Sequence, residues 1–274
     1  MRRIREVFVE VFTAQNISAG YNGRTVLKNI NLAIREGDFL SIIGPNGAGK
    51  STMVKVLSGD IRPVSGSLLF RGSAVERCKA VDLARGFSTV HQSQEQVLPF
   101  TVYDFVRMGR FPHQGAFRIE SDSDARIIGE AIEITGLTHL AGRKITELSG
   151  GEFQLAGIAH ALAQNREVII LDEPVSHLDI RHSVAIMDIL YELNRQGSTI
   201  ITVLHDINMA SDYCKRIVAV KDGELFFDGP PDIVFDYRKV EELFDSVCIV
   251  RDNPITGKPF IYPVPEYIRK NRQV

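Results

Sequence analysis

The sequence contains no tryptophan and only three cysteines, Cys78, Cys214 and Cys248, which lie far apart. No CxxC pair is present, so neither a zinc site nor a disulfide framework is indicated, and we expect reduced thiols, as in a cytosolic protein. No apolar run approaches the roughly 18 residues of a membrane span. Glu6 and Glu10 interrupt the N-terminal stretch, which is therefore not typical of a signal peptide.

A large excess of charge of one sign is also missing, because the net charge is −2. The chain therefore lacks the basic field that attracts nucleic acid, and we expect no nucleic-acid partner. Its 274 residues are 44% apolar and 24% charged, which is ordinary for a globular protein. This length suffices for one large domain.

Three short apolar runs predict buried strands, at residues 39–44, 167–174 and 198–206. None alternates in polarity, which is typical of parallel strands covered on both faces. An amphipathic segment at residues 181–197 lies between the second and third runs and closes with glycine, as a crossover helix does. The order predicts an α/β fold with a mainly parallel core sheet.

Two other regions depart from this pattern. Residues 1–37 and about 66–71 predict strands of an antiparallel β-subdomain, whereas residues from about 101 to 163 predict mostly helices. We interpret the helical region, with the loop before it (about 93–163), as a subdomain inserted into a single domain that spans residues 1–274. The last segment, about 232–274, is expected to form a small C-terminal appendage.

Residues 44–52, GPNGAGKST, fit the pattern G-x-x-x-x-G-K-[ST] between a predicted strand and a predicted helix. Glycines let backbone N–H groups close around phosphate oxygens, and the helix start adds positive potential. Lys50 supplies charge for the β- and γ-phosphates, and the Ser51 hydroxyl can ligate Mg²⁺. A dinucleotide-binding loop is disfavoured, because Thr52 stands where a third glycine or alanine is expected. The predicted nucleotide-binding residues here are Gly44, Pro45, Asn46, Gly47, Ala48, Gly49, Lys50, Ser51 and Thr52.

Two adjacent carboxylates, Asp172 and Glu173, follow the second predicted strand. The carboxyl ends of strands are where open α/β sheets bind ligands. Asp172 is expected to hold Mg²⁺, directly or through water, and Glu173 to polarise an attacking water. The simpler alternative is a capped turn with two solvated acids, which the nearby phosphate loop disfavours.

Residues 147–152, ELSGGE, begin a long predicted helix with two adjacent glycines. Ser149 and Glu152 form a capping box, which explains the helix start but gives no structural reason for Gly150 and Gly151. Glycine offers bare backbone that another molecule can approach closely, and a helix start with free N–H groups can bind an anion. The chain already has one predicted phosphate-binding loop, at residues 44–52. One bound nucleotide does not need a second anion site in the same place, so the role of this helix start is open at this point.

Six motifs together resemble those of the nucleotide-binding subunits of ATP-binding cassette (ABC) transporters, in the family's order and over nearly the whole chain. They are Tyr21 in SAGYNG, the loop GPNGAGKST, Gln92 in STVHQSQ, LSGGE, VIILDEP followed by SHLD, and His205 in ITVLHD. The resemblance implies the P-loop NTPase fold of that family, with ATP and Mg²⁺ as ligands and ATP hydrolysis as the reaction.

The resemblance also implies roles for single residues. Tyr21 is expected to stack on adenine, and Gln92 to reach the metal or the attacking water through a loop that contacts a membrane partner. His205 is expected to contact the γ-phosphate and to hold the water–glutamate geometry, and Asp179 to connect two halves of a dimer. A turn tyrosine, a solvated glutamine, a core or capping histidine and a helix N-cap are the respective structural alternatives.

The same resemblance implies a role for the second possible anion site, at the start of the helix that begins with LSGGE. Ser149, Gly150, Gly151 and Glu152 would contact the ATP bound by a second copy of the chain. Two copies would then face each other head to tail about a two-fold axis and bury two nucleotides. The alternative is a glycine-containing helix start that binds nothing.

Several positions depart from the common family pattern. Phe153 and Leu155 stand where basic or polar residues are frequent, His160 replaces an arginine, and His91 replaces a proline. None of these changes removes a group with a named chemical role.

Looser similarities, in FTVYDFVRMGRFPH, HLDIRH, FFDGPPDIV and NPITGKPFIYP, resemble the importer group for ferric siderophores, haem or cobalamin. They imply integral membrane permease subunits as partners, an extracytoplasmic solute-binding protein as an indirect partner, and a peripheral location on the cytoplasmic side of the cell membrane. An importer for another solute, such as a metal ion, is the alternative.

Two further classes are disfavoured. ABC ATPases that act on DNA or the ribosome usually carry coiled-coil insertions, zinc cysteines or a second cassette, and the sequence shows none of them. A non-catalytic regulatory cassette would be expected to lack Glu173 or His205, and both are present.

Overall fold

The chain alternates strands and helices in the computed structural model, which describes residues 9–91, 99–114 and 120–270. Its strands are β1 (Glu10–Tyr21), β2 (Arg24–Arg35), β3 (Phe39–Ile43), β4 (Ser65–Phe70), β5 (Ser73–Ala74), β6 (Ser88–Val90), β7 (Val168–Asp172), β8 (Thr199–Val203), β9 (Arg216–Lys221), β10 (Glu224–Gly229), β11 (Cys248–Asp252) and β12 (Pro259–Pro263). Its helices are α1 (Lys50–Leu57), α2 (Ala80–Gly86), α3 (Val102–Met108), α4 (Asp122–Ile134), α5 (Gly150–Gln164), α6 (Ile180–Arg195), α7 (Ile207–Tyr213), α8 (Pro231–Val234), α9 (Tyr237–Phe244) and α10 (Glu266–Lys270). None of these described helices combines the length and the apolar character needed to cross a membrane.

The central sheet has six strands among the described residues, in the order β10-β9-β3-β8-β7-β6. All pairs are parallel except β9 with β10. Every residue of β3, β7 and β8 is buried, which explains why their sequences do not alternate in polarity. The predicted parallel core sheet is therefore confirmed.

The sheet separates two apolar clusters, because successive side chains of a strand point to opposite faces. In β3, Phe39 and Ile43 belong to one cluster, whereas Leu40 and Ile42 belong to the other. The first cluster extends into the helices of residues 102–163, and the second extends into the antiparallel layer. One face of the sheet thus packs against the helical region, and the other face packs against the antiparallel layer.

The antiparallel layer has the strand order β2-β1-β4-β5 in the described residues. Its contact with the central sheet includes three phenylalanines: the ring centroids of Phe12 and Phe70 lie 5.1 Å apart, and those of Phe70 and Phe87 lie 5.3 Å apart. The antiparallel β-subdomain that the sequence predicted is therefore confirmed for residues 10–35 and 65–74.

The helices α3, α4 and α5 pack against one another, which confirms the predicted helical region. Capping boxes begin both α4 and α5: Ser121 with Asp124, and Ser149 with Glu152. Arg110 joins two of these helices, because its Nε donates to Asp124 Oδ1 at 2.8 Å and its guanidinium also donates to the Ala163 carbonyl. The extent of the inserted subdomain, and the single-domain division, stay predictions.

Within the predicted C-terminal appendage, β11 and β12 form a hairpin that packs against α7, and the division itself stays a prediction. Asn208 in α7 exchanges two hydrogen bonds with the backbone of Ile261, at 3.1 and 2.7 Å. The buried Ser211 hydroxyl donates to the Pro259 carbonyl at 2.7 Å. These bonds tie the appendage to the core through the helix that follows β8.

Candidate functional site

The loop between β3 and α1 curls tightly because three of its glycines have positive φ angles. These angles are 150° at Gly44, 80° at Gly47 and 105° at Gly49, a region that other residues rarely adopt. A Cβ on Gly49 would also lie only 2.7 Å from a methyl carbon of Leu27. The predicted phosphate loop therefore requires glycine for its backbone course and for its packing.

Lys50 is the first residue of α1 and is only 6% exposed. Its Nζ donates to the carbonyl oxygens of Gly44 and Pro45, at 2.9 and 3.0 Å. Burial lowers the pKa of Lys50, while the carboxylates of Glu173 and Asp172 oppose that shift. The loop thus folds around a largely buried ammonium group, whose hydrogen-bond partners within the described residues are the two carbonyl oxygens.

Asp172 ends β7 and is 4% exposed. Burial raises the pKa of its carboxyl group, and the hydrogen bond from the Ser51 hydroxyl, at 3.3 Å, opposes the shift. A buried carboxylate next to a hydroxyl is a set of hard oxygen donors, which suits Mg²⁺. The two residues predicted to hold the metal are therefore adjacent, and their chemistry fits that ion.

Glu173 follows Asp172 in a left-handed conformation, with a φ of 56°, which is uncommon for any residue except glycine. Its side chain is 10% exposed, and Oε1 lies 2.6 Å from Nε2 of His205. A carboxylate only accepts hydrogen bonds, so Nε2 carries the proton in this contact. The Ser176 hydroxyl donates to the other oxygen, Oε2, at 3.0 Å. The two contacts orient the carboxylate of Glu173.

One cavity of about 620 Å³ joins these groups. Tyr21 stands at its edge with 42% of its surface exposed, and Lys55 Nζ lies 5.7 Å from the centroid of the tyrosine ring. The lining residues are Tyr21, Asn22, Arg24, Val26, Asn46, Gly47, Gly49, Lys50, Ser51, Thr52, Glu173 and His205. The structure thus brings the predicted adenine-stacking residue, phosphate loop and catalytic pair into one space.

The residues predicted to contact a second nucleotide do not line this cavity. Ser149 and Gly150 lie at the exposed start of α5. The capping box holds Glu152, which accepts hydrogen bonds from the Ser149 backbone and hydroxyl, both at 2.8 Å. These bonds lower the pKa of Glu152.

The expectation that no structural reason exists for the two glycines is wrong for Gly151. A Cβ on Gly151 would lie 2.5 Å from Cγ of the His182 ring, so this position is closed to any side chain unless the ring moves. A Cβ on Gly150 would meet no atom within 4 Å. The chain itself therefore accounts for one glycine and leaves the other unexplained.

Asp179 is the N-cap of α6 and accepts a hydrogen bond from the backbone N–H of His182 at 2.8 Å. The N-cap alternative is thus observed, and the exposed carboxylate stays available for the dimer contact that remains a prediction. Gln92 lies outside the described residues, so its predicted contacts with metal and water stay predictions.

Four contacts at the site escaped the sequence analysis. Asn22, Arg24 and Val26 line the cavity, and Ser176 donates to Glu173. Asn22 lies in the turn after Tyr21, and Arg24 and Val26 lie at the start of β2, so their closeness to the tyrosine was a usable signal. Ser176 lies three residues after Glu173 and begins the SHLD motif, so its closeness was also a usable signal.

A phosphate loop between a buried strand and a helix, with a buried aspartate at the end of a neighbouring parallel strand, defines a P-loop nucleotide-binding protein. The chain belongs to the ABC transporter family: the family model described as "ABC transporter" matches residues 27–176. Members of this family are ATPases, and so is this protein. The predicted fold and enzyme class are confirmed.

Three relatives with assigned roles align over most of this chain. The ferric enterobactin transport ATP-binding protein FepC of Escherichia coli is 35% identical over 91% of this chain and 93% of its own. The hemin import ATP-binding protein HmuV of Thermobifida fusca is 35% identical over 93% and 89%, respectively. The cobalamin import ATP-binding protein BtuD of Halobacterium salinarum is 34% identical over 89% of this chain and 61% of its own.

Solved structures of this family match the fold. A metal-chelate type ABC transporter in an inward-facing conformation gives a TM-score of 0.82 at 25% identity, covering 95% of this chain and 99% of that one. A dimeric bacterial ABC transporter cassette gives a TM-score of 0.70 at 31% identity, covering 80% and 98%. The same cassette, as a dimer bound to ADP and phosphate, gives 0.69 at 31% identity, again covering 80% and 98%.

Removing the aromatic ring at the edge of the cavity tests the adenine contact. We expect Tyr21→Ala to weaken ATP binding about tenfold, within the range of base–aromatic stacking energies, whereas Tyr21→Phe retains near-normal affinity. Isothermal titration calorimetry of both variants measures the difference. Equal ATP affinity of wild type and Tyr21→Ala would exclude stacking on this ring.

Proposed function

We propose that this chain is the ATP-hydrolysing subunit of an importer that takes up an iron–siderophore, haem or cobalamin. The observation that carries the catalytic part is the 2.6 Å contact between Glu173 and His205, which faces the phosphate loop across one cavity. The names of three relatives, which cover ferric enterobactin, hemin and cobalamin, support the choice of solute.

Glu173 is the proposed general base. His205 lies against Oε1 of the Glu173 carboxylate, and Ser176 donates to Oε2. An ionised carboxylate oxygen can accept more than one hydrogen bond. A water placed between this carboxylate and the γ-phosphate can therefore transfer a proton to Glu173 as it attacks. His205 holds the carboxylate in place and turns toward the γ-phosphate from the same side.

The phosphate loop stabilises the charge of the substrate. Its backbone N–H groups and the start of α1 surround the β- and γ-phosphates, and Lys50 adds a full positive charge. Lys50 is bonded to the carbonyls of Gly44 and Pro45 at 2.9 and 3.0 Å, so it reaches the phosphates by exchanging those neutral partners for charged ones.

Ser51 and Asp172 are the proposed Mg²⁺ holders, together with Gln92. When bound, the ion neutralises charge on the β- and γ-phosphate oxygens. Burial raises the pKa of Asp172, so a cation at this position supplies the partner that the desolvated carboxylate needs.

We propose that the working unit is a dimer with two nucleotides between the copies. Ser149, Gly150, Gly151 and Glu152 do not line the cavity of their own chain. Ser149, Gly150 and Asp179 are exposed and can face a partner. A cassette that is 31% identical to this chain forms a dimer, which supports the arrangement. In this dimer the start of α5 contacts the ATP of the other copy.

The proposed partners in the membrane are permease subunits, which the loop containing Gln92 and the helical region would contact. This contact places the chain on the cytoplasmic side of the cell membrane, and an extracytoplasmic solute-binding protein delivers the solute to the permease. An importer for a different solute, such as a metal ion, is the second candidate.

Replacing the proposed base tests hydrolysis. We expect Glu173→Gln to bind MgATP normally and to lose about 10²–10⁴-fold in turnover, because the amide cannot accept the proton. Phosphate release at saturating ATP gives the turnover, and calorimetry gives the affinity. Glu192→Gln, at an exposed acid on α6, is the matched control. Near-normal turnover of Glu173→Gln would remove this residue from the role of base.

Mixing two inactive variants tests the shared site. Lys50→Ala disables the phosphate loop, and Ser149→Asp keeps an N-cap acceptor but places a negative charge toward the partner's phosphates. Because each mixed dimer retains one intact site, an equal mixture should regain up to about a quarter of the wild-type turnover. Phosphate release measures the recovery, with each variant alone as control. If the turnover of the mixture equals the average of the two variants measured alone, each chain works independently.

Reconstitution tests the solute. The permease should co-purify with this chain from membranes of the native host, and ATPase activity in proteoliposomes should rise with one loaded binding protein. We expect stimulation by a binding protein loaded with ferric siderophore, haem or cobalamin, and none with Glu173→Gln. Stimulation only by a binding protein loaded with a free metal ion would support the second candidate.

A further inference from the structure

We propose that His182 is a positioning residue, which holds Asp179 and the start of α5 in one fixed arrangement. The proposal rests on the ATP-bound dimer above, in which both segments face the partner copy. His182 touches no part of the nucleotide cavity in its own chain. Its effect on the reaction is therefore indirect, through the geometry of these two segments.

The first contact of His182 is with Asp179. Oδ1 of Asp179 accepts from the backbone N–H of His182 and lies 2.8 Å from the ring Nδ1 as well. Because a carboxylate only accepts, Nδ1 carries the proton and donates it to this bond. These two bonds lower the pKa of Asp179, which keeps the exposed carboxylate charged. The ring contact adds a second restraint on this side chain to that of the backbone cap.

The second contact is with the other segment. The His182 ring occupies the space above Gly151, where a Cβ would lie 2.5 Å from Cγ and 2.9 Å from Nε2. Gly151 is buried, although both Ser149 and Gly150 beside it are exposed. The ring thus fills the gap between the starts of α5 and α6.

The two contacts lie on one imidazole, whose side chain is 30% exposed. A rigid ring held by a hydrogen bond on one side cannot shift without changing what it touches on the other. Movement of Asp179 is therefore transmitted to the backbone of Gly151, and the reverse also holds. Two segments that lie far apart in the sequence present a single surface to the partner's nucleotide.

The contact with the ring predicts how the chain responds to a side chain at position 151. If the His182 ring excludes a side chain there, removing the ring should make alanine tolerable. If the partner's nucleotide excludes it, removing the ring should make no difference. Gly150 supplies the matched comparison, because its missing Cβ meets no atom of its own chain.

The experiment measures ATP-dependent dimerisation by light scattering in Glu173→Gln, which cannot consume the ATP. Added to that background are Gly151→Ala, His182→Ala and their combination, and Gly150→Ala with and without His182→Ala. We expect Gly151→Ala to raise the dimer dissociation constant about tenfold or more, and to add less than about twofold once His182→Ala is present. Gly150→Ala should have the same effect in both backgrounds.

A second readout separates positioning from simple stability. His182→Ala should weaken dimerisation and lower kcat several-fold in the otherwise wild-type chain, while the ATP affinity of the monomer and the melting temperature stay close to normal. His182→Gln, which retains a donor for Asp179, should recover part of the loss. Val184→Ala, at an exposed neighbour on α6, is the matched control.

The outcomes are distinguishable. If Glu173→Gln does not dimerise with ATP, the proposed dimer is wrong, and this is seen before any His182 variant is made. If the parent dimerises but Gly151→Ala is equally harmful with and without His182→Ala, the ring does not set this geometry. A His182→Ala variant with normal dimerisation and normal kcat would also overturn the proposal.

Discussion

Parallel pairing of three buried strands, β3, β7 and β8, is the constraint on which the nucleotide site depends. The pairing sets Ile42 beside Val203 and Asp172 beside that same Val203, so the carboxyl ends of all three strands meet at one edge. Each of these strands leads into one part of the site: the phosphate loop, the acidic pair or His205. The parallel hydrogen-bond ladder aligns the carboxyl ends of the strands, which brings the three parts together.

At this edge the chain buries two charged groups, Lys50 and Asp172. Burial lowers the pKa of Lys50 and raises that of Asp172, so each ionised form is disfavoured by the same loss of water. Glu173 adds a left-handed backbone, which surrounding structure must stabilise. In the proposed complex, phosphates would interact with Lys50 and Mg²⁺ with Asp172, which would offset part of the cost of their burial.

The start of α5 has a different organisation. Its capping box is complete and local, yet its exposed glycine faces away from the cavity of its own chain. This separation is what makes a single copy an incomplete catalyst in the proposed dimer. The start of α6 lies beside the start of α5, and the His182 ring contacts both helix starts. The surface that we propose to face a partner is therefore held in a defined shape within one copy.

The sequence by itself determined the elements whose signals are contiguous: the phosphate loop, the acidic strand end, the capping boxes and the buried parallel strands. These depend on backbone preference and on spacing within a few residues. Only the tertiary structure decided that Asn22, Arg24 and Val26 share a cavity with the phosphate loop, and that Gly151 is closed by an imidazole. Those contacts join residues through the packing of whole helices and strands, and no local pattern specifies which side chain fills a given space. For that reason the sequence showed that Gly151 was unusual, but the fold was needed to show what it touches.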